Sequence, residues 1–249
     1  QIGVAGIAYN CSIIPIRSFY YTVLSPSIGV QPFSTPEALA LATDWAWRNG
    51  ADVMSNSWSL TPDFEQLFQA YLPLYVQAVQ LAIDSGRNGL GVPMFYSSGN
   101  EDADFANWPA RIEGTISVGA TSMCDERKSA GDCSPETWGG NYGANLDFSA
   151  PGVRIPSTDM IGSLGYNSTD NTSTFNGTSA ACPHAAGVAA LMLSVNPALS
   201  ANAVRMIMSR SCDRVGAYPY DSLYSGGTWS QELGFGRINA YKAVQESMT

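Results

Sequence analysis

Short apolar runs alternate with longer helical patterns along nearly the whole chain, and this alternation limits the available folds more than any other feature. Ser12 to Ile16 reads as a buried strand. Ser34-Thr35-Pro36-Glu37 resembles a capping box with proline in the first turn, opening a helix that runs to about Asn49 before Gly50. Leu39, Ala42, Trp45 and Ala46 keep helical spacing within it. Asp52 to Asn56 predicts a second strand, Leu67 to about Ser85 a helix closed by Gly86, and Val92 to Ser97 a third strand. Thr115 to Val118 and Asn145 to Ala150 predict two more strands. Helices follow at Ser179 to about Ser194, Ser200 to Arg210 and Ile238 to Met248, the last capped by Asn239. Strand and helix in alternation predict an α/β fold with parallel strands joined by right-handed crossovers. Ligands of such sheets sit beyond the carboxyl ends of the strands, here Ser57 to Leu60, Ser98 to Glu101 and Phe175 to Ser179. With no internal repeat and no low-complexity linker, residues 1–249 read as one domain.

Charge excludes some partners. Twelve Lys plus Arg stand against 21 Asp plus Glu, a net charge of −9, so nucleic acid is a poor partner. The apolar stretches fall short of a bilayer crossing, so no membrane span is predicted. The 45% of hydrophobic residues suffices for a sizeable core. The chain opens at Gln1, without Met or a signal-peptide pattern, as a processed product, a trimmed chain or a fragment would. None of the five cysteines has the paired spacing of a zinc site. Cys124 and Cys133 bracket the polar loop Asp125 to Asp132 and could close it as a disulfide, with Cys182 and Cys212 a weaker candidate pair. Such usage favours a secreted protein.

Two segments offer chemistry. In Phe175-Asn176-Gly177-Thr178-Ser179-Ala180-Ala181-Cys182-Pro183-His184, a polar loop gives way to a helix at Ser179. A hydroxyl there lies among unpaired backbone N–H groups at the positive end of the helix dipole, which suits an acyl-oxygen beside an oxyanion. On spacing alone, a plain serine cap is the commoner explanation. In Tyr96-Ser97-Ser98-Gly99-Asn100-Glu101, a carboxamide just past a strand end could donate to a developing oxyanion, although a lone Gly-Asn is more often a turn.

These two segments, with Ser57-Trp58-Ser59-Leu60 and Ser149-Ala150-Pro151-Gly152, occur in an order and spacing that resemble the subtilisin family. Thr115 to Ala120, Pro197 to Arg210 and Gly234 to Ala240 fit the same pattern. The resemblance implies a three-layer, doubly wound α/β fold and serine endopeptidase activity through an acyl-enzyme. It implies that Ser179 is the nucleophile and that Asn100 shares the oxyanion hole with the Ser179 N–H. Ser57, Trp58, Ser59 and Leu60 match the strand that pairs with substrate backbone. Ser97, Ser98, Gly99 and Asn107 match other walls of the pocket for the residue before the cut. Trp108-Pro109 falls where the family often has a cis peptide bond. Side chains at Ser59 and Leu60, where glycines are common, could narrow the pocket. Cys182, in place of the commoner serine, reads as a small core residue.

The family's Asp and His blocks, which precede the Ser block, have no match here. Gln1 to Val4 resembles the stretch just after the His-bearing helix, so the N-terminal segment of the fold is expected to be lacking. The one histidine, His184, lies five residues after Ser179, about 140° round the helix, and is read as structural. Sedolisin-type relatives use Glu and Asp, but place an Asp where Asn100 stands. The chain alone is therefore expected to be inactive or nearly so, with Asp and His supplied by sequence outside it, for instance on a tightly bound N-terminal fragment. Peptide or protein is the expected substrate. No cofactor is required. Calcium is common in the family as a structural ion, and Gly162 to Asn171 and the region after Trp108 offer oxygens, though no run resembles a dedicated calcium loop. Two other readings remain open: a non-catalytic subtilase-like domain that binds peptides or packs against other domains, and, less well matched, an esterase. The latter's Gly-x-Ser-x-Gly differs from Gly177-Thr178-Ser179-Ala180-Ala181.

Overall fold

The computed structural model describes residues 3–25 and 29–249. Its centre is a four-stranded parallel sheet in the order β3 (Met54–Asn56), β4 (Met94–Ser97), β5 (Ile116–Thr121), β6 (Phe148–Pro151). Alternate side chains of β4 enter different cores. Phe95 joins Ile116, Val118, Phe148 and helix α4 (Thr178–Val195), while Met94 and Tyr96 join Leu39, Tyr75, Val79 and Ala82 of helices α1 (Pro36–Arg48) and α3 (Leu72–Gly89). Helices thus cover both faces, giving the expected three layers. Helices α5 (Ala201–Ser211) and α6 (Ala240–Ser247) complete the α4 layer through Val204, Ile207, Met208 and Ala243.

Helix α4 is long and apolar enough to cross a bilayer by length and composition alone, but 56% of it is buried, as in a core helix. Its small residues Ala180, Ala181, Cys182, Ala185 and Ala189 let it lie close to the sheet.

Several sequence expectations need correction. Ser12 to Ile16 forms no strand: among the described residues it has no ladder partner, and Ile13 is 87% exposed. An apolar run becomes a strand only where an edge accepts its amides. The helix expected from Leu67 is two helices, α2 (Pro62–Phe68) and α3, because Pro73 is tolerated in a first turn but not in an interior. Regular helix geometry ends at Gly86 as expected. The cap of α1 is Thr35, whose hydroxyl accepts from Ala38 N at 3.2 Å, while Ser34 Oγ donates to Ser18 O. Asn239 caps α6 by accepting from Lys242 N at 3.0 Å. Three antiparallel hairpins escaped the sequence reading: β1 (Tyr20–Ser25) with β2 (Gly29–Phe33), β7 (Ile155–Thr158) with β8 (Asn171–Phe175), and β9 (Ser222–Tyr224) with β10 (Gly227–Trp229). Within Gln1 to Val4, Gln1 and Ile2 lie outside the described residues.

Candidate active site

Gly177 precedes α4 with φ +114, and its N–H donates to Gly152 O at 2.9 Å. That backbone, which glycine adopts without strain, turns the chain so that Ser179 falls in the first turn of α4. Ala180 N and Ala181 N both donate back to Gly177 O, and Thr178 N donates to Asn100 Oδ1 at 2.9 Å. The Ser179 N–H remains a first-turn donor that the helix does not consume. Pro183 has no amide hydrogen to close on the Ser179 carbonyl one turn back; Ser57 Oγ donates to that carbonyl instead, at 2.8 Å. Ser179 Oγ in turn lies 3.4 Å from Ser57 O.

Asn100 follows β4. Its Oδ1 accepts from Thr178 N and lies 3.0 Å from Thr178 Oγ1. With the oxygen held there, the Nδ2 donor is turned away from Thr178. The structure therefore brings the Asn100 carboxamide to Thr178, the residue before Ser179, across 78 residues of sequence.

The expected pocket walls are joined through Asn107. Its Nδ2 donates to Ser59 Oγ at 3.3 Å and to Glu101 Oε2 at 2.9 Å, its N–H to Ser98 O at 2.7 Å, and Leu60 N donates to Trp108 O at 2.7 Å. The Trp108-Pro109 peptide is cis, as expected. Two of the expected wall residues have their side chains engaged within the protein. Trp58 packs edge-on against Phe19, Tyr75, Tyr96 and Trp108, and buried Ser98 donates its hydroxyl to Asn141 O at 2.9 Å. Ser97 is buried as well, and Gly99 has φ +114 where a Cβ would strike the Asn107, Asn141 and Glu101 side chains. Thr178, Glu101 and Asn141 were not singled out from the sequence. Only their closeness to Gly99-Asn100 and Ser179 marks the first two, and nothing local marks Asn141.

His184 Nδ1 lies 2.8 Å from Ala180 O, one turn back on its own helix, rather than beside Ser179. Cys182 is fully buried, its Sγ 3.8 Å from Ser55 Oγ and 3.7 Å from Asn56 O, and burial pushes its thiol up to about 11. It is a packed core residue. Cys124 and Cys133 are bonded, whereas Cys182 and Cys212 are both free thiols.

In both stretches expected to offer oxygens, several of those oxygens have protein partners. Next to Gly162–Asn171, Asp159 accepts from Met160 N at 2.8 Å and from Asn167 N at 3.2 Å, and Asp170 accepts from Gly162 N at 3.3 Å. After Trp108, the carbonyls of Pro109, Ala110 and Ile112 surround the Thr115 hydroxyl at 3.4, 3.2 and 2.7 Å. Among the described residues, no three His, Cys, Asp or Glu side chains gather as ligands.

A family model described as the subtilase family matches residues 1–236. The chain belongs to the subtilase family. A calcium-dependent protease of Trichormus variabilis is 36% identical over 264 residues, taking in 98% of this chain and 38% of the relative. Subtilisin DY of Bacillus licheniformis is 34% identical over 224 residues, 90% of this chain and 68% of the relative. The chain thus spans well under half the length of the first of these subtilases. A solved protease structure from Pseudoalteromonas arctica superposes with TM-score 0.68 at 22% identity, over 98% of this chain and 66% of that one. At that identity the likeness speaks for the subtilase fold alone.

Proposed function

We propose that this chain is the nucleophile-bearing part of a subtilase serine endopeptidase, one peptidase unit over residues 1–249. The observation that carries the reading is the Asn100 carboxamide, held by Thr178 at the start of the helix that bears Ser179. Ser179 Oγ attacks the scissile carbonyl carbon. The oxygen becomes an oxyanion, accepting from Asn100 Nδ2 and the Ser179 N–H; one such donor is typically worth about 3 kcal/mol in the transition state. Collapse expels the amine and leaves an acyl-enzyme, which water hydrolyses. Substrate backbone pairs with Ser57, Trp58, Ser59 and Leu60, opposite Ser97, Ser98, Gly99 and Asn107. The chemistry needs no cofactor.

The proton of Ser179 needs a base within about 3 Å, and His184 is directed elsewhere. We assign the base and its orienting Asp to polypeptide outside this chain, in the same protein or in a bound N-terminal fragment. A groove of about 950 Å³ supports this; it is lined by Ile13, Ile14, Ile16, Ser55, Trp58 and Gly187 and runs beside β3, the end strand of the sheet. Alone, the chain is inactive or nearly so. The Cys124–Cys133 bond supports secretion.

The test is Ser179→Ala in the longest natural form of the protein, assayed on unfolded protein substrate. Loss of proteolysis by several orders of magnitude is expected; full retention ends the assignment. The missing base also favours a second reading, a non-catalytic peptide-binding subtilase domain. Coding sequence upstream of Gln1 without an Asp block and a His-Gly-Thr block would establish that one instead.

A further inference from the structure

We propose that Asn141 is a positioning residue for the Asn100 carboxamide, acting through Glu101; the inference rests on the serine endopeptidase reading of this site. Asn141 is 1% exposed and comes from the segment after the Cys124–Cys133 loop, far in sequence from Asn100 and Ser179. It makes five hydrogen bonds to residues 98–103: its N–H to Gly99 O at 3.0 Å, its carbonyl from Ser98 Oγ at 2.9 Å, its Oδ1 from Glu101 N at 2.9 Å and Ala103 N at 3.1 Å, and its Nδ2 to Glu101 Oε2 at 2.8 Å. That same Glu101 oxygen accepts from Asn100 N at 2.9 Å and from Asn107 Nδ2 at 2.9 Å.

Asn100 is thus held at two ends. Thr178 fixes its side-chain oxygen, and the Glu101 carboxylate fixes its backbone amide. Asn107 shares that carboxylate and bonds Ser98 O, but among the described residues Asn141 alone bonds the carboxylate and the backbone on both sides of Asn100. The charged oxygen makes these bonds stronger than neutral ones, and a buried hub leaves its partners unsatisfied when removed. An oxyanion donor works only if it already sits where charge develops, and displacement of the order of 1 Å can remove about a hundredfold in rate. The arrangement aims a donor without touching substrate, so its loss should appear in kcat and not in KM.

The experiment is a double-mutant cycle in the longest natural form of the protein, comparing wild type, Asn141→Ala, Asn100→Ala and the double variant on a peptide substrate. Asn141→Ala is expected to lower kcat roughly tenfold to a hundredfold with KM within about twofold, and to cause no further loss in the Asn100→Ala background. An equal loss in both backgrounds, or a change in KM alone, would overturn the proposal. Should Asn141→Ala fail to fold, Asn141→Asp keeps the shape and both acceptor contacts. It sets a carboxylate against the Glu101 oxygen that also holds Asn100 N and Asn107 Nδ2, so kcat should fall with KM within about twofold. Wild-type kcat in Asn141→Asp would equally overturn it. A crystal structure of Asn141→Ala separates this inference from the protease reading. An Asn100 Oδ1 moved beyond 3.5 Å from Thr178 N supports positioning whatever the activity, and an unmoved Asn100 refutes it. Absence of proteolysis in the wild type refutes only the protease reading.

Discussion

Pro183 and Ser57 show how one residue's missing donor becomes another's partner. A proline six residues into a helix leaves a carbonyl open, and that carbonyl belongs to Ser179. Ser57 closes it from the neighbouring segment, locking the nucleophile's backbone to the strand proposed to receive substrate. Cys182, one residue before that proline, faces the other way, into the core beneath Asn56. Its thiol is pushed up to about 11 by burial and stays protonated and shielded at neutral pH. Alkylation of the native protein by iodoacetamide, read by peptide mass mapping, should therefore spare Cys182 until the chain is unfolded; modification at the rate of a free thiol in solution would contradict its placement. The site was partly legible at this scale because Gly177-Thr178-Ser179 and Gly99-Asn100 are local patterns. Asn141 was not legible, because its role exists only through contacts made across 40 residues.

Elements are tied to one another by a few polar anchors. Asp213, just after α5, accepts from Lys242 Nζ at 2.6 Å, Asn239 Nδ2 at 2.9 Å and Arg237 Nη2 at 3.3 Å, and pairs with Arg237 through backbone bonds of 2.8 and 2.9 Å. It thereby ties the end of α5 to the cap and first turn of α6. Burial pushes its carboxyl up, but Lys242, Asn239 and Arg237 outweigh that, and the net lies below the ordinary 3.8. A carboxyl lowered on folding adds stability that is present above its unfolded value and lost as pH falls through its folded one. Asp213→Asn should thus lower the melting temperature at pH 7 and reduce the difference between pH 7 and pH 3; an unchanged difference would contradict the anchor. At this scale, helices with clear stops were readable from sequence: Ser200 caps α5, Asn239 caps α6, and Gly86 ends regular α3 geometry. The break before Pro73 and the hairpins β7–β8 and β9–β10 were not. Their strands are short and rich in Ser, Thr, Asn and Gly, and lack the apolar alternation that marks a half-buried strand.

Across the whole molecule, the parallel sheet has its two outer strands in different surroundings. Residues of β6 are bridged by Gly234 and Arg237, whereas β3 ends the sheet beside a groove lined by Ile13, Ile14 and Ile16. An apolar strip along a sheet edge is a place for another strand and helix to pack. The sequence reading placed Ser12–Ile16 in such a sheet. Among the described residues the run forms no ladder and is exposed, because strand pairing is a property of two segments and not of an apolar run by itself. The central claim is that Ser179 becomes an acylating nucleophile once an Asp and a His from outside this chain reach it. The most direct measurement is labelling by a fluorophosphonate, read by peptide mass mapping, on residues 1–249 alone and on the longest natural form of the protein. We predict one adduct per molecule, on Ser179, in the longer form and none on residues 1–249. An adduct on a different residue, or proteolysis by the longer form without labelling at Ser179, would contradict it.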